Sequence, residues 1–487
     1  MRLDTTEHDE WTRVLRAYPS MALETGLGDL PRREPVTLPA DASVRDALQT
    51  MSERGVGSVL LLDTQGGLAG ILTRHDVLER IALADTDLAA PVATVMTQPV
   101  ATLQAHDTTH DAMMLMAARR IRHVPVLQDG RLINVISERD LFALQRLSIK
   151  HLGSAIAHGR TLADFQRVAA DIRAYARHLM AQGVQARQLT ALISRLNDQL
   201  TQGLVEMELR TAGLSADAMC WVALGSEGRG EQTLATDQDN ALVFASDDPD
   251  ADRPQWLAFA RRVNEALDAC GYPLCTGGVM AGNPPCCLTA AEWGQRFASW
   301  IDAGGPQELL QASVFFDLRA VAGRADWLDA LRTAVLERTR ATPRFIRQLV
   351  QVHLEHPVAL NWFGGIEGRR EGPHLWFDLK LQGTALLVEG ARILALARGL
   401  PATGTRERLL TAGRAMGAPV PEVEGWVAAF DFLQTLRLTR QSDSSADPQQ
   451  PNRIDLNTLN PVDERVLKAS LRAIKTLQQR LQLDYLR

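Results

Sequence analysis

The sequence has 487 residues, which is too long for one hydrophobic core and predicts three or four domains. A hydrophobic content of 46% and a charged content of 23% are ordinary for a soluble globular protein. The net charge of −6 argues against a sequence-independent nucleic-acid binder, and no segment has the roughly 18 apolar residues that span a membrane.

Residues 1–34 predict a short helical extension. Apolar residues at helical spacing around Trp11 are followed by glycines and a proline that interrupt the helix. The amino terminus is polar and acidic and shows no signal peptide. We therefore expect a cytoplasmic protein.

Residues 35–146 contain an internal repeat. Each copy has a short extended run, an amphipathic helix and two further strands, and ends in a hydroxyl residue followed three positions later by aspartate. These pairs are Thr73 and Asp76 in the first copy and Ser137 and Asp140 in the second. The hydroxyl groups can donate to a phosphate or sugar, and the carboxylates can accept from ribose hydroxyls. Equally, each aspartate can cap the helix that follows it.

The repeat resembles a tandem pair of CBS domains, a family in which the pair forms a module that binds adenosine nucleotides in clefts between the repeats. The resemblance implies an adenosine nucleotide beside the two hydroxyl–aspartate pairs, with Arg74, Arg122 and Arg139 available to meet its phosphates. CBS pairs often dimerise through their helices, so the resemblance also implies a homodimer.

Residues 147–215 predict a helical connector between this repeat and the rest of the chain. Apolar residues such as Phe165, Val168 and Ile172 recur there at helical spacing. The five cysteines lie further on, and an odd number in a long chain with no zinc-finger spacing favours structural thiols over a metal site. They are Cys220, Cys270, Cys275, Cys286 and Cys287.

Residues 216–340 predict an α/β domain, and its first motif is a strand that ends in a glycine. The apolar run from Cys220 to Leu224 predicts a buried strand, and Gly225-Ser226 ends it. A strand that ends in Gly-Ser before a helix exposes backbone N–H groups that can hold a phosphate. We expect the helix at Glu231–Ala235.

Two aspartates follow at a spacing of two. An extended strand places Asp237 and Asp239 on the same face, where the carboxylates repel each other unless a cation or water screens them. Magnesium bound by carboxylates and nucleotide oxygens fits that need. The alternative is an exposed turn capped by Ser226, with both aspartates on a solvated strand edge.

The Gly225-Ser226 and Asp237-x-Asp239 pattern resembles the signature of the polymerase-β-like nucleotidyltransferases. The longer string from Leu224 to Leu242 resembles the nucleotidyltransferase domain of PII-protein uridylyltransferases, in the bacterial branch fused to CBS domains. The resemblance implies Mg²⁺, a UTP or ATP donor and an acceptor such as a PII-like protein. It assigns catalysis and metal binding to Asp237 and Asp239, phosphate binding to Gly225 and Ser226, and charge compensation to Arg229.

Two later features bear on this resemblance. The superfamily usually adds a third carboxylate, and our candidate is Asp317, whose burial in an apolar run requires a cation or Arg319 to compensate it. A structural or helix-capping role is the alternative for Asp317. In the Gly271–Leu288 stretch, which lies near the nucleotide in the family, Cys286-Cys287 stand where relatives commonly have Trp-Arg.

Residues 341–487 predict a helical bundle, and the resemblance implies that it binds substrate. Within it, Lys380 can reach a triphosphate and Asp378 can assist an attacking hydroxyl, although a surface ion pair explains both almost as well. The fold class is therefore multidomain α/β and α: a CBS pair, a helical connector, a polymerase-β-like domain and a helical bundle.

The expected function is magnesium-dependent transfer of UMP or AMP to a hydroxyl of a protein or a small molecule, regulated by adenosine nucleotides at the CBS pair. A catalytically silent nucleotide sensor that acts in signal transduction is the alternative from another class. An enzyme of the antibiotic-modifying kind is a third option.

Overall fold

A computed structural model describes residues 26–30, 34–138, 140–141, 152–443, 447 and 449–486. Most of the extension predicted at residues 1–34 lies outside this described part, as does Arg139. The chain divides into two compact units on either side of the Ser154–Ala155 bond. In the described part, no helix is long and apolar enough to cross a membrane.

The first unit confirms the internal repeat, because two three-stranded sheets have the same topology. In each sheet the first strand pairs parallel with the second, which pairs antiparallel with the third. The first sheet comprises β1 (Thr37–Pro39), β2 (Ser58–Leu62) and β3 (Leu68–Thr73), and the second comprises β4 (Leu103–Gln104), β5 (His123–Gln128) and β6 (Arg131–Ser137).

Each copy packs one amphipathic helix against its sheet. Helices α1 (Val44–Glu53) and α2 (Thr109–Arg119) both begin with a capping box, in which an aspartate and a hydroxyl residue satisfy each other's backbone N–H groups. Further short turns are Arg74–Asp76, Val77–Ala82 and Val92–Thr94. The core of each copy is built from aliphatic side chains on the helix and the two longer strands.

The second unit is organised around a sheet of four strands, in which the last strand along the chain lies at one edge, beside the first, and the second and third follow. Strands β7 (Met219–Ala223) and β8 (Asn240–Phe244) are buried along their whole length and pair antiparallel. The flanking strands are β9 (Cys287–Thr289), parallel to β8, and β10 (Arg319–Gly323), antiparallel to β7.

Helices surround this sheet. They are α3 (Leu162–Ala181), α4 (Ala186–Ala212), α5 (Gly225–Gly228), α6 (Pro249–Ala269), α7 (Ala290–Ala303), α8 (Pro306–Ala312), α9 (Ala325–Ala341) and α10 (Pro343–Leu354). Residues 152–158 are also helical. Shorter turns are Ala216–Ala218, Pro284–Cys286 and Ser313–Asp317.

The carboxyl-terminal part contains the predicted helices and also a small sheet that the sequence analysis did not predict. The helices are α11 (Ala385–Ala397), α12 (Thr405–Ala415), α13 (Val420–Ser442) and α14 (Pro461–Tyr485). The sheet comprises β11 (Arg369–Glu371), β12 (His374–Asp378) and β13 (Arg453–Asp455), with short turns at Lys380–Thr384 and Leu456–Thr458. These helices share one continuous hydrophobic core with β7 and β8.

The helix expected at Glu231–Ala235 is absent, and the short helix α5 lies directly after β7 instead. The physical reason is that side chains from elsewhere in the fold accept the backbone N–H groups of this segment. Gln232 donates to the Ser194 hydroxyl at 3.0 Å, and Ala235 donates to Oε1 of Gln441 at 3.1 Å. The segment therefore forms no helix before β8.

Candidate functional site

The turn after β7 lies directly against one of the two aspartates. Gly225 has a φ of +53°, and a Cβ at this position would lie 2.4 Å from Oδ2 of Asp239. Only glycine allows both this backbone conformation and this close approach. The half-buried Ser226 follows at the start of α5, so the Gly-Ser turn and the Asp239 carboxylate adjoin each other as the motif predicted.

The residues between and after the aspartates fix the register of this segment. Gln238 donates from Nε2 to the backbone oxygens of Asn264, at 2.9 Å, and Tyr272, at 2.8 Å. Oδ1 of Asn240 accepts from Nδ2 of Asn264 and from the Ala281 backbone, both at 2.9 Å. Gln238 and Asn240 are buried and the two aspartates are half-buried, which is the alternation expected along an extended chain.

Asp237 and Asp239 lie beside a third possible ligand, Cys275. One ligand atom from each of these half-buried residues lies within 4.8 Å of the other two. Burial raises the pKa of Asp239, and the Asp237 charge raises it further, while a hydrogen bond with the Cys275 thiol lowers it. Cys275 comes from the Gly-, Pro- and Cys-rich stretch, but its proximity to the carboxylates was not predicted.

After Cys275, Glu227 is the second residue at the site that was not predicted from the sequence. Its side chain is buried in α5, and burial raises the pKa of its carboxyl to about 8. The Asp198 charge raises that pKa further, as do those of Asp239 and Asp237, whereas the Arg319 charge lowers it. In the sequence, a glutamate followed by glycine at the start of a polar run indicates a helix cap. The sequence therefore gives little indication that the Glu227 side chain is buried.

The structure places Asp317 away from the environment we expected for a third carboxylate. Its fully buried carboxylate accepts hydrogen bonds from Arg229 at 2.6 Å, from Arg392 at 3.0 and 2.5 Å, and from Arg408 at 2.5 Å. Burial raises the pKa of Asp317, but the three guanidinium charges outweigh burial and hold it far below its usual range. Both oxygens of Asp317 are therefore committed to arginines.

Arg319, the expected partner of Asp317, binds other groups. It donates to Oδ1 of Asp198 and to the backbone oxygen of Glu227, each at 2.8 Å. Arg319 therefore holds α5 against α4. The expectation that it compensates Asp317 was wrong, because the arginines that do so lie far away in the sequence.

Arg229 and Lys380 differ in how open they are to a ligand. The guanidinium of Arg229 donates to Glu231 at 2.9 Å and to Asp317, so protein acceptors already hold it. Lys380 is exposed, and its charge lowers the pKa of Asp239. Asp378 accepts the backbone N–H groups of Lys380 and Leu381, both at 2.8 Å, which makes it a cap rather than half of a surface ion pair.

The first unit contains a cavity of about 880 Å³ that both repeats line. Thr73, Asp76, Ser137 and Asp140 all lie on its wall, together with Arg74 and Arg122. The two hydroxyl–aspartate pairs also form helix caps, because the Thr73 backbone donates to Asp76 and the Ser137 backbone donates to Asp140, each at 2.9 Å. Asp76 and Asp140 therefore each cap a helix and also line the cavity.

Three family models match this chain. Residues 27–83 and 92–146 match the CBS domain, residues 170–307 match the family "Putative nucleotidyltransferase DUF294", and residues 343–485 match "Putative nucleotidyltransferase substrate binding domain". Together with the fold, these matches define a nucleotidyltransferase fused to a pair of CBS domains. The family models therefore match a CBS-fused nucleotidyltransferase of the DUF294 kind.

Curated relatives cover only part of the chain. The CBS domain-containing protein YhcV of Bacillus subtilis is 28% identical over 122 residues, which are 25% of this chain and 86% of that relative. An uncharacterized 17.7 kDa protein of Acidianus ambivalens is 29% identical over 102 residues, 21% of this chain, and the match spans only 61% of that relative.

Solved structures give similar partial matches. The CBS domain protein PAE2072 from Pyrobaculum aerophilum, solved in complex with AMP, is 29% identical and covers 24% of this chain and 88% of its own, with a TM-score of 0.23. A CBS-domain protein from Agrobacterium tumefaciens is 31% identical and covers 25% of this chain and 95% of its own, with a TM-score of 0.24.

Proposed function

We propose that this protein is a Mg²⁺-dependent nucleotidyltransferase that moves UMP or AMP from a nucleoside triphosphate to a hydroxyl group. The observation that carries the proposal is the convergence of Asp237 and Asp239 beside the Gly225 turn, within a domain of a nucleotidyltransferase family. An acceptor hydroxyl on a protein, such as a PII-like regulator, or on a small molecule fits this chemistry. A homodimer built on the CBS pair remains a prediction.

The donor atoms at the site suit Mg²⁺ in part. Mg²⁺ prefers oxygen ligands and is commonly held by one or two carboxylates together with substrate phosphates, which Asp237 and Asp239 match. The raised pKa of Asp239 marks a place where a cation would offset repulsion between buried carboxylates. When bound, the metal would neutralise charge on the phosphoryl oxygens during transfer. The Cys275 thiol is a poor ligand for Mg²⁺ and instead forms a hydrogen bond with Asp239.

The residues of the turn would hold the donor nucleotide. The absence of a side chain at Gly225 lets phosphate oxygens approach the backbone, and the Ser226 hydroxyl can donate to them. Lys380 is exposed and close enough to influence Asp239, so it can contact the triphosphate as a cation. Glu231 and Asp317 occupy the hydrogen-bond donors of Arg229. Arg229 therefore contributes through its charge, which lowers the pKa of Asp239.

The first prediction tests this function directly. Purified protein is incubated with Mg²⁺ and each α-labelled nucleoside triphosphate, with and without cell extract, and label transfer and pyrophosphate release are measured. We expect transfer with one preferred base, and a loss of at least about a hundredfold in Asp237→Asn and in Asp239→Asn, because each removes a charge that the metal requires. Asp247→Asn is the matched control, since Asp247 is exposed on the turn after β8.

Two results would contradict the proposal. Equal transfer by Asp239→Asn and the unchanged protein would exclude the carboxylate pair as the metal site. Absence of transfer with every nucleotide, alongside tight binding of adenosine nucleotides, would favour the nucleotide-sensing alternative, which the cavity of about 880 Å³ in the first unit would serve on its own.

A further inference from the structure

Arg437 on α13 is a buried arginine without an acidic partner. Its side chain is only 9% exposed, yet its guanidinium hydrogen bonds to neutral oxygens alone. Nε donates to Oδ1 of Asn452 at 3.0 Å, and Nη1 donates to Oε1 of Gln434 at 2.8 Å and, more weakly, to Oγ1 of Thr384 at 3.5 Å. Within the described part of the chain, no carboxylate forms an ion pair with Arg437, and its Nη2 has no hydrogen-bond acceptor.

This arrangement is unusual in energetic terms. A buried charge is unfavourable unless an opposite charge or several hydrogen bonds compensate it. The neighbouring buried arginines obey this rule, because Arg392 and Arg408 both bind the Asp317 carboxylate. Burial lowers the pKa of Arg437 to about 10, and Arg229 lowers it too, so the side chain stays charged at neutral pH although no carboxylate among the described residues is paired with it.

A short chain of hydrogen bonds connects Arg437 to the carboxylate segment. The backbone N–H of Ala235, two residues before Asp237, donates to Oε1 of Gln441 at 3.1 Å. Nε2 of Gln441 donates at 2.9 Å to the same Asn452 oxygen that accepts from Arg437. The acidic side chains of Asp378, Glu231 and Asp237 all raise the pKa of Arg437, so the guanidinium lies within their field.

The turn that bears Lys380 packs against the same cluster. The backbone N–H of Leu379 donates to the Asn452 backbone oxygen at 2.9 Å, and Thr384, at the end of this turn, meets Nη1 of Arg437. Lys380 and Arg437 therefore belong to two segments that both hydrogen bond to Asn452. Both belong to the region that matches the substrate binding domain model.

We propose that Arg437 binds the triphosphate of the donor nucleotide, with Nη2 as the donor that contacts phosphate oxygens. The inference rests on the proposed function and extends it to the helical domain. Phosphate supplies the negative charge that Arg437 lacks, and a planar guanidinium can donate two parallel hydrogen bonds to it. Arg229, the arginine expected from the sequence to compensate this charge, is already paired with Glu231 and Asp317.

The test compares Arg437→Gln with Arg440→Gln. Arg440 lies one turn further along α13 and has its own acidic partner, Asp443, at 3.0 Å, so the control removes the same charge from the same helix. The probe is inorganic tripolyphosphate with Mg²⁺, which contains no base or sugar. Its affinity is measured by calorimetry on the full chain, and the melting temperature of each variant is measured with and without the probe.

We expect Arg437→Gln to weaken tripolyphosphate binding by about tenfold to a hundredfold, which corresponds to one or two hydrogen bonds between charged groups. Arg440→Gln should bind as the unchanged protein does, and Asp239→Asn should weaken the binding that depends on Mg²⁺. Without the probe, Arg437→Gln should not melt at a lower temperature, because it removes a buried charge that no carboxylate among the described residues pairs with.

A purely structural role for Arg437 predicts the reverse pattern, with a lower melting temperature and unchanged affinity, and that result would overturn the inference. So would absence of tripolyphosphate binding to the unchanged protein. A failure of the proposed function would look different: Arg437 would bind the probe, but label transfer would be absent. If the unchanged protein transfers nucleotide and Arg437→Gln does so with the same KM for the donor, only the inference about Arg437 is lost.

Discussion

At the residue scale, the candidate site places acidic side chains in two opposite electrostatic environments. Asp317 has three arginines around it and is held ionised, whereas Glu227 is buried beside Asp198 and keeps its proton to about pH 8. Ion pairing outweighs burial in the first case, and burial outweighs the single nearby cation in the second. Glu227 therefore carries no negative charge because it keeps its proton, and the negative charge of Asp317 is neutralised by arginines.

Glu227 gives a prediction about pH. The folded protein keeps the Glu227 proton up to about pH 8, while the unfolded chain loses it near 4.5, so the stability that protonated Glu227 contributes is present below about 4.5 and is lost as the pH rises through 8. Glu227→Gln removes this dependence. The free energy of unfolding of Glu227→Gln, relative to the unchanged protein, should rise steadily from pH 5 to pH 8.

The measurement is urea unfolding at several pH values. EDTA is present, so that no bound divalent cation changes the free energy of unfolding. Glu265→Gln is the control, because Glu265 is exposed on α6 and should leave the difference flat. A constant difference between Glu227→Gln and the unchanged protein over this pH range would show that Glu227 is ionised in the folded state.

Sequence alone reached some of these residues and not others, for a physical reason. The spacing of Asp237 and Asp239 and the adjoining Gly-Ser turn are local features, and the structure brings them together as expected. Asp317 was correctly seen as a buried acid that needs a cation, but Arg392 and Arg408 lie 75 and 91 positions away. Partners at such separations are set by how helices pack, which residue spacing does not encode.

At the element scale, the segment before β8 shows how alternation divides structural from functional residues. Gln238 and Asn240 are almost fully buried and accept hydrogen bonds from Asn264, whereas Asp237 and Asp239 are half-buried. The period of two predicted that both aspartates share a face. The absence of a helix at Glu231–Ala235 could not be predicted from the sequence. Its backbone N–H groups donate to Ser194 and Gln441, which lie on distant helices.

Helix α5 requires glycine at its end for reasons of space. A Cβ on Gly228 would lie 1.8 Å from the backbone oxygen of Asp317 and 2.8 Å from that of Ala223, and neither backbone atom can move freely. We predict that Gly228→Ala lowers the free energy of unfolding by about 3 kcal/mol or more, through overpacking against a buried backbone.

Gly294→Ala is the matched control on α7, where an added Cβ meets no atom within 4 Å. It should stabilise the protein by about 0.5–1 kcal/mol, because alanine restricts the unfolded chain and favours the helix. Chemical denaturation followed by tryptophan fluorescence gives both values. Similar effects of the two substitutions would mean that α5 is free to move away from Asp317.

At the scale of the whole molecule, each unit has its own candidate nucleotide site, and the one in the first unit can be tested independently. We predict that the full chain binds AMP and that Asp76→Asn and Asp140→Asn each weaken binding by about tenfold, since each removes a carboxylate acceptor from the cavity wall. Isothermal calorimetry measures the affinity. A change in label transfer on adding AMP would connect this site to the enzyme.

Asp46→Asn separates binding from capping. Asp46 forms the same capping box with Ser43 at the start of α1, but it does not line the cavity. Its substitution should reduce stability as the other two do and leave AMP affinity unchanged. If all three substitutions weaken AMP binding equally, the effect arises from helix capping, and the assignment of Asp76 and Asp140 to the ligand is wrong.

The core that the sheet shares with the carboxyl-terminal helices also sets a constraint on synthesis. A ribosome that has completed β7, α5 and β10 has released Asp317 and Arg229, but Arg392 and Arg408 are still to come, as are the apolar residues of α11 to α14 that cover the sheet. The segment with Asp237 and Asp239 therefore cannot reach its native state during translation until the last helices emerge. Nascent chains stalled near residue 340 should remain protease-sensitive and open to chaperones, whereas the CBS pair can already be folded.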